Sequence, residues 1–152
     1  MRQSWIVIGL VAGIILTVGS SCADKPKSLN PNGDSELALL MRAMHEEGMR
    51  TKAQLLKGET PELTVDYHKL FTATPTEPAK VANPLYAGFA TSFEDAAKAL
   101  GNEYNGDKVN SYKQYVDACI NCHKEICPGP IVKIKKMYLS EKEIASISVN
   151  QE

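Results

Sequence analysis

Strong net charge is what this sequence most plainly lacks: 17 lysines and arginines stand against 18 aspartates and glutamates, a formal charge of −1. A nucleic-acid binder needs a strongly basic face, so there is no electrostatic case for DNA or RNA. Any charge-steered partner must read a local patch instead. An apolar run of membrane-spanning length is missing too. The stretch from Trp5 to Val18 is 14 residues, against the roughly 20 that a bilayer-crossing helix needs. There is no internal repeat and no low-complexity tract, so the chain reads as one domain.

What is there begins with Arg2 before the apolar run, then Gly19, Ser20 and Ser21 before Cys22. That order is the plan of a secretory signal peptide, expected to be removed after residue 21. The small residues before Cys22 resemble the lipobox of bacterial lipoproteins, in which that cysteine becomes the lipidated first residue of the mature chain. Gly19 stands where such signals usually carry a leucine-like residue. Ordinary signal cleavage and an uncleaved anchor are the alternatives. Loss of residues 1–21, with one arginine and no acid among them, takes the formal charge to −2. Residues 22–33, with Pro26 and Pro31 and little to bury, read as a tether. The expected location is the periplasmic or cell-surface face of a bacterial membrane.

Four helices are expected in residues 34–127. Helix A has Asp34 as N-cap and Glu36 in its first turn, and runs to Lys57 before Gly58 stops it. Leu37, Leu40, Met41, Met44 and Leu55 fall on one stripe, with Gly48 between. Helix B opens on Thr60 and Pro61, with Leu63, Tyr67, Leu70 and Phe71 on one face. Helix C opens on Asn83 and Pro84 and carries Leu85, Phe89, Phe93, Ala96 and Leu100 up to Gly101. Asn105 and Gly106 mark a turn. Helix D starts near Asp107, carries Val109, Tyr112, Val116, Cys119 and His123 along one side, and ends by Pro128. The expected fold class is therefore all-α, an antiparallel four-helix bundle. Residues 128–152 form an extension, irregular apart from a short last helix that Ser140 and Glu143 would open as a capping box.

The chemistry sits in Cys119-Ile120-Asn121-Cys122-His123, the C-x-x-C-H pattern. Residues three and four apart are neighbours on one face of a helix, so both thiols can bond the two vinyl groups of one haem. His123 can then place its imidazole beneath the iron. A redox dithiol, a disulfide and half of a zinc site are the competing readings. The first needs a strand-rich context, and zinc needs further Cys or His ligands at matching spacing.

The motif lies on the last of four expected helices and continues with Lys124, and in this the chain resembles the class II c-type cytochromes, the cytochrome c-prime family. The resemblance covers residues 34 to about 127 and implies one covalent haem c lodged in the bundle beneath helix A. In that family a helix A residue sits over the iron, leucine in five-coordinate gas binders and methionine in low-spin electron carriers. Here the resemblance points to Met41, then Met44, then His45 at the edge of the same face. Filling the core is the ordinary role of such methionines. Tyr112 and Tyr115 are expected to pack on the porphyrin or hydrogen-bond a propionate, or else to fill the core.

The extension departs from the family. Cys127 reads as a buried thiol near the proximal side of the haem rather than a third linkage. Lys133, Lys135 and Lys136 make either a docking patch for an acidic redox protein or a solvated face. The expected function is electron transfer outside the cytoplasm, with redox proteins and the membrane, through Cys22, as partners. A homodimer is compatible with this. The alternative is an open, five-coordinate iron that binds nitric oxide or carbon monoxide. No acid–base pair or pocket signature supports an enzyme.

Overall fold

The computed structural model describes residues 33–102 and 107–149. The expected signal peptide, Cys22, the tether up to residue 32 and the Asn105-Gly106 turn lie outside the described residues. Among the described residues there is no strand, and the chain is all-α. No helix among them is long and apolar enough to cross a membrane.

Helix α1 spans Glu36–Leu56. Its N-cap is Ser35, not Asp34: the Ser35 hydroxyl accepts from the Ala38 amide at 3.2 Å, while Asp34 pairs with Arg42 at 2.6 Å. Gly58, at φ +74°, takes the left-handed position that ends the helix. Helix α2 is a single turn, Pro78–Val81, and α3 spans Tyr86–Gly101. Helix α4 spans Lys108–Glu125, with Asp107 capping the Asn110 amide at 2.9 Å.

The helix expected from Thr60 does not form. Residues 59–66 are irregular, and only Tyr67–Phe71 winds into a 3-10 turn. Glu47, fully buried on α1, is the reason. Its carboxylate accepts from the amides of Thr64 (2.5 Å) and Val65 (3.0 Å), the Thr64 hydroxyl (3.1 Å) and the Tyr67 hydroxyl. These amide donors are therefore satisfied from across the fold and need no helical carbonyl. Residues 59–71 run as a strap along α1.

The extension is more ordered than expected. It forms α5, Ile131–Ile134, a 3-10 turn over Lys135–Met137, and α6, Glu141–Val149. The capping box is present: Ser140 N donates to Glu143 at 2.7 Å, and Glu143 N donates to the Ser140 hydroxyl at 3.3 Å. Ile134, Met137 and Ile147 enter the same core as α1, α3 and α4. Gly48 leaves room for that packing: an added Cβ would stand 2.2 Å from Met137 Cε, at the flexible tip of that side chain, and 3.2 Å from the Tyr115 ring. Helix α3 buries Tyr86, Ala90, Phe93, Ala97 and Leu100; its inward face is thus rotated from the expected one, and Leu85 is exposed.

Two tyrosines fix how α1 lies against α4. The Tyr115 hydroxyl donates to the Met44 carbonyl at 3.0 Å, and the Tyr112 hydroxyl to those of Gly48 and Met137, both at 2.9 Å. Position 44 thus meets 115 and 48 meets 112, an antiparallel register. One turn on, Leu40 and Met41 come level with Ala118 and Cys119, and Leu37 comes level with Cys122 and His123.

Candidate functional site

All members of the C-x-x-C-H pattern lie on the last turns of α4, and no proline or glycine interrupts them. Cys119, Cys122 and Cys127 carry free thiols, each partly buried. Burial pushes Cys119 up to about 12; burial and then neighbouring Cys127 push Cys122 up to about 11. Reactive dithiols have the opposite character, a thiolate stabilised near neutral pH. Nor do further donors gather: among the described residues, no group of three or more His, Cys, Asp or Glu side chains could hold a metal ion.

His123 is set for a different task. Its Nδ1 lies 2.7 Å from the carbonyl oxygen of Cys127. A carbonyl only accepts, so Nδ1 carries the proton and donates, and the neutral ring keeps its lone pair on Nε2. Burial, the leading cause, lowers the pKa of His123 and favours that neutral form. The backbone makes this bond available because Cys127 precedes Pro128: a residue before proline is pushed out of the helical region, so its carbonyl leaves the ladder and turns back.

Chain segments converge on this end of the molecule. Leu37 N donates to Thr74 O at 3.0 Å, Thr74 N to Glu36 at 2.8 Å, and the Ser35 and Thr76 hydroxyls meet at 2.8 Å. Tyr86 at the start of α3 reaches the Leu70 carbonyl at 2.9 Å. Lys80 on α2 donates to Cys127 Sγ at 3.5 Å. Phe71 and Leu85 flank the Leu70–Tyr86 contact and are exposed apolar side chains of these segments, whereas the exposed Leu39 lies on the side of α1 turned away from its buried face.

Of the helix A candidates, Met44 is buried while Met41 is partly buried against the core. In the register above Met41 is level with Cys119, and Met44 lies about 4.5 Å further from His123 along the axis. His45 is partly buried, and its Nε2 is shielded with no hydrogen-bond partner. Tyr112 and Tyr115 are buried, and their hydroxyls are taken up by the α1 and Met137 carbonyls; what they offer a neighbour is ring, not hydroxyl. A cleft of 250 Å³ between Val109, Tyr112, Tyr138 and Ile144 is at the opposite end of α4 from the motif. It cannot house a group bonded to Cys119 and Cys122.

Two residues escaped the sequence reading. Glu47 had a visible signal, a carboxylate beside Gly48 on the apolar stripe. Lys80 had none, because a one-turn helix carries no periodicity. No protein-family model, curated protein or solved structure matches this chain.

Proposed function

We propose that this chain is a single-haem c-type cytochrome that carries electrons outside the cytoplasm, tethered to a membrane through Cys22. The observation that carries the reading is the Nδ1–H of His123 on the Cys127 carbonyl, since a metal-ligating histidine almost always gives its second ring N–H to such an acceptor. Two neutral thiols three residues apart precede that histidine, as two thioether bonds to one porphyrin require. The exposed Phe71 and Leu85 supply apolar surface that a haem would cover. When bound, the haem supplies a one-electron Fe(III)/Fe(II) couple. The protein's part is to hold Nε2 at the iron and to keep water from the proximal side.

In this proposal the chain is a relative of the class II bundle in which α1, α3 and α4 are long helices and the strap of residues 59–71 stands in for the second. Met41 is the sixth ligand we favour, on its level with Cys119. A five-coordinate reading, with an open site for nitric oxide or carbon monoxide, draws on Leu37, whose level with His123 would put an apolar side chain where a ligand is wanted. The optical spectrum separates the two, low-spin for the first and high-spin for the second.

Haem staining on a denaturing gel tests attachment, using full-length protein made in cells with haem-attachment machinery. Cys119→Ala and Cys122→Ala should each lose normal two-bond attachment, and His123→Ala should keep stain but change its spectrum. Full two-bond attachment in both cysteine variants would overturn the assignment.

A further inference from the structure

The bond from His123 to the Cys127 carbonyl is only as well aimed as the turn that carries the carbonyl. Helix α4 ends at Glu125, its last helical bonds running from Ile126 N to Cys122 O at 2.9 Å and from Cys127 N to His123 O at 3.3 Å, and Pro128 to Pro130 lead away. What reaches it from elsewhere is Lys80. Its ammonium donates to Cys127 Sγ at 3.5 Å, across 47 positions of sequence. Lys80 is itself held by Glu77 at 2.5 Å, and Pro78 at the start of α2 fixes the local backbone between them. On the other side, Cys127 N returns a hydrogen bond to the His123 carbonyl at 3.3 Å. Residue 127 is thus gripped by its thiol from α2 and by its backbone from His123.

We infer that Lys80 and Cys127 form a proximal clamp, in which Lys80 is a positioning residue that aims the Cys127 carbonyl at His123 and places one positive charge on the proximal side. The inference rests on the haem reading above. It goes beyond that reading in giving a role to the single-turn helix α2 and to a cysteine that forms no thioether. Two effects follow from the geometry. The clamp holds the imidazole in its Nδ1–H tautomer, with Nε2 free, before any haem arrives. In the loaded protein, the ammonium disfavours the more positive Fe(III) state, so it raises the reduction potential.

The test uses the full chain in two forms. In haem-free protein, nitrogen NMR of the His123 ring reads the tautomer. Wild type and Lys80→Arg should give the Nδ1–H form, whereas Lys80→Met and Cys127→Ala should give a mixture with the Nε2–H form. In haem-loaded protein, Lys80→Met should lower the reduction potential, and Lys80→Arg should hold it near wild type. The double variant Lys80→Met/Cys127→Ala should fall no further than the larger single effect, because both changes break one contact. An unchanged tautomer in Lys80→Met overturns the clamp. So does a potential that falls additively in the double variant, since that means charge acting without positioning. Protein that never acquires covalent haem would instead sink the cytochrome reading, and the tautomer measurement would still decide whether the clamp exists.

Discussion

Met41 and Met44 are three positions apart on one helix, yet their surroundings ask different things of them. Met44 is buried and its carbonyl receives the Tyr115 hydroxyl, a contact that the side chain only has to pack around. Met41 is partly buried and level with Cys119. If Met41 ligates iron, Met41→Leu should turn a low-spin spectrum high-spin, lower the potential through loss of a soft thioether, and admit carbon monoxide. Met44→Leu should alter packing alone, at a cost below about 1.5 kcal/mol for a near-isosteric swap. Spectra of the two variants decide. A low-spin wild type whose spin state survives both changes would direct attention to His45, whose Nε2 is buried without a partner. At this scale the helical setting of the C-x-x-C-H pattern was legible in the sequence, because Asp107 and Pro128 bracket it with local start and stop signals. Lys80 was not, because its role depends on a fold that brings position 80 to position 127.

Among the elements, the strap of residues 59–71 depends most on a single side chain. Glu47 accepts hydrogen bonds from Thr64, Val65 and Tyr67 and pairs with Arg50 at 3.0 Å. Glu47→Ala should cost about 3–5 kcal/mol, the usual loss when one partner of a buried, hydrogen-bonded ionic cluster is removed. Urea unfolding would measure it; a loss under about 1 kcal/mol would mean that the strap is held by its apolar contacts instead. Helix α6 offers a pH handle. Its Glu143 carboxyl is held down at about 2 by the Ser140 amide and hydroxyl and then by Lys52. A carboxyl depressed in the folded state adds stability above its unfolded value near 4.3, and that stability drains away as the pH falls through about 2. Protection of the Ile147 amide, taken relative to its intrinsic exchange rate, should therefore fall between those two values, and Glu143→Gln should flatten the dependence. An equally steep Glu143→Gln profile would assign the effect to another group. The boundaries of α1 and α4 were readable because caps and stop signals are local chemistry. Thr60 and Pro61 misled because their local signal for a helix start is real, but Glu47 supplies the following amides with a better acceptor from another element. The inward face of α3 and the packing of the extension were hidden for the same reason, being set by neighbours such as Gly48 and Met137.

Taken whole, the molecule has nearly balanced charge, yet no acid lies between Glu125 and Glu141, and Lys133, Lys135 and Lys136 in that interval are exposed. None of the three is ion-paired among the described residues, and Val132 beside them is 73% exposed. An apolar centre with a basic rim is suited to an acidic protein surface. If the chain carries electrons as proposed, the triple variant Lys133→Glu/Lys135→Glu/Lys136→Glu should react more slowly than wild type with an anionic electron donor at low salt. The gap should close near 0.1 M salt, where screening acts within about 10 Å. A rate difference indifferent to salt would rule out steering by this patch. The register of α1 on α4 also settles a matter of reach. Because α1 begins where α4 ends, Gly33 emerges at the His123 end of the molecule, where Arg42 holds its carbonyl at 3.1 Å. Eleven residue steps separate position 22 from position 33, and a chain of that length extends to at most about 40 Å. A lipid on Cys22 would therefore keep Gly33, at the motif end, within about 40 Å of the bilayer. If the chain carries haem at this motif, an acceptor embedded in that membrane would lie within the tether's reach of the iron.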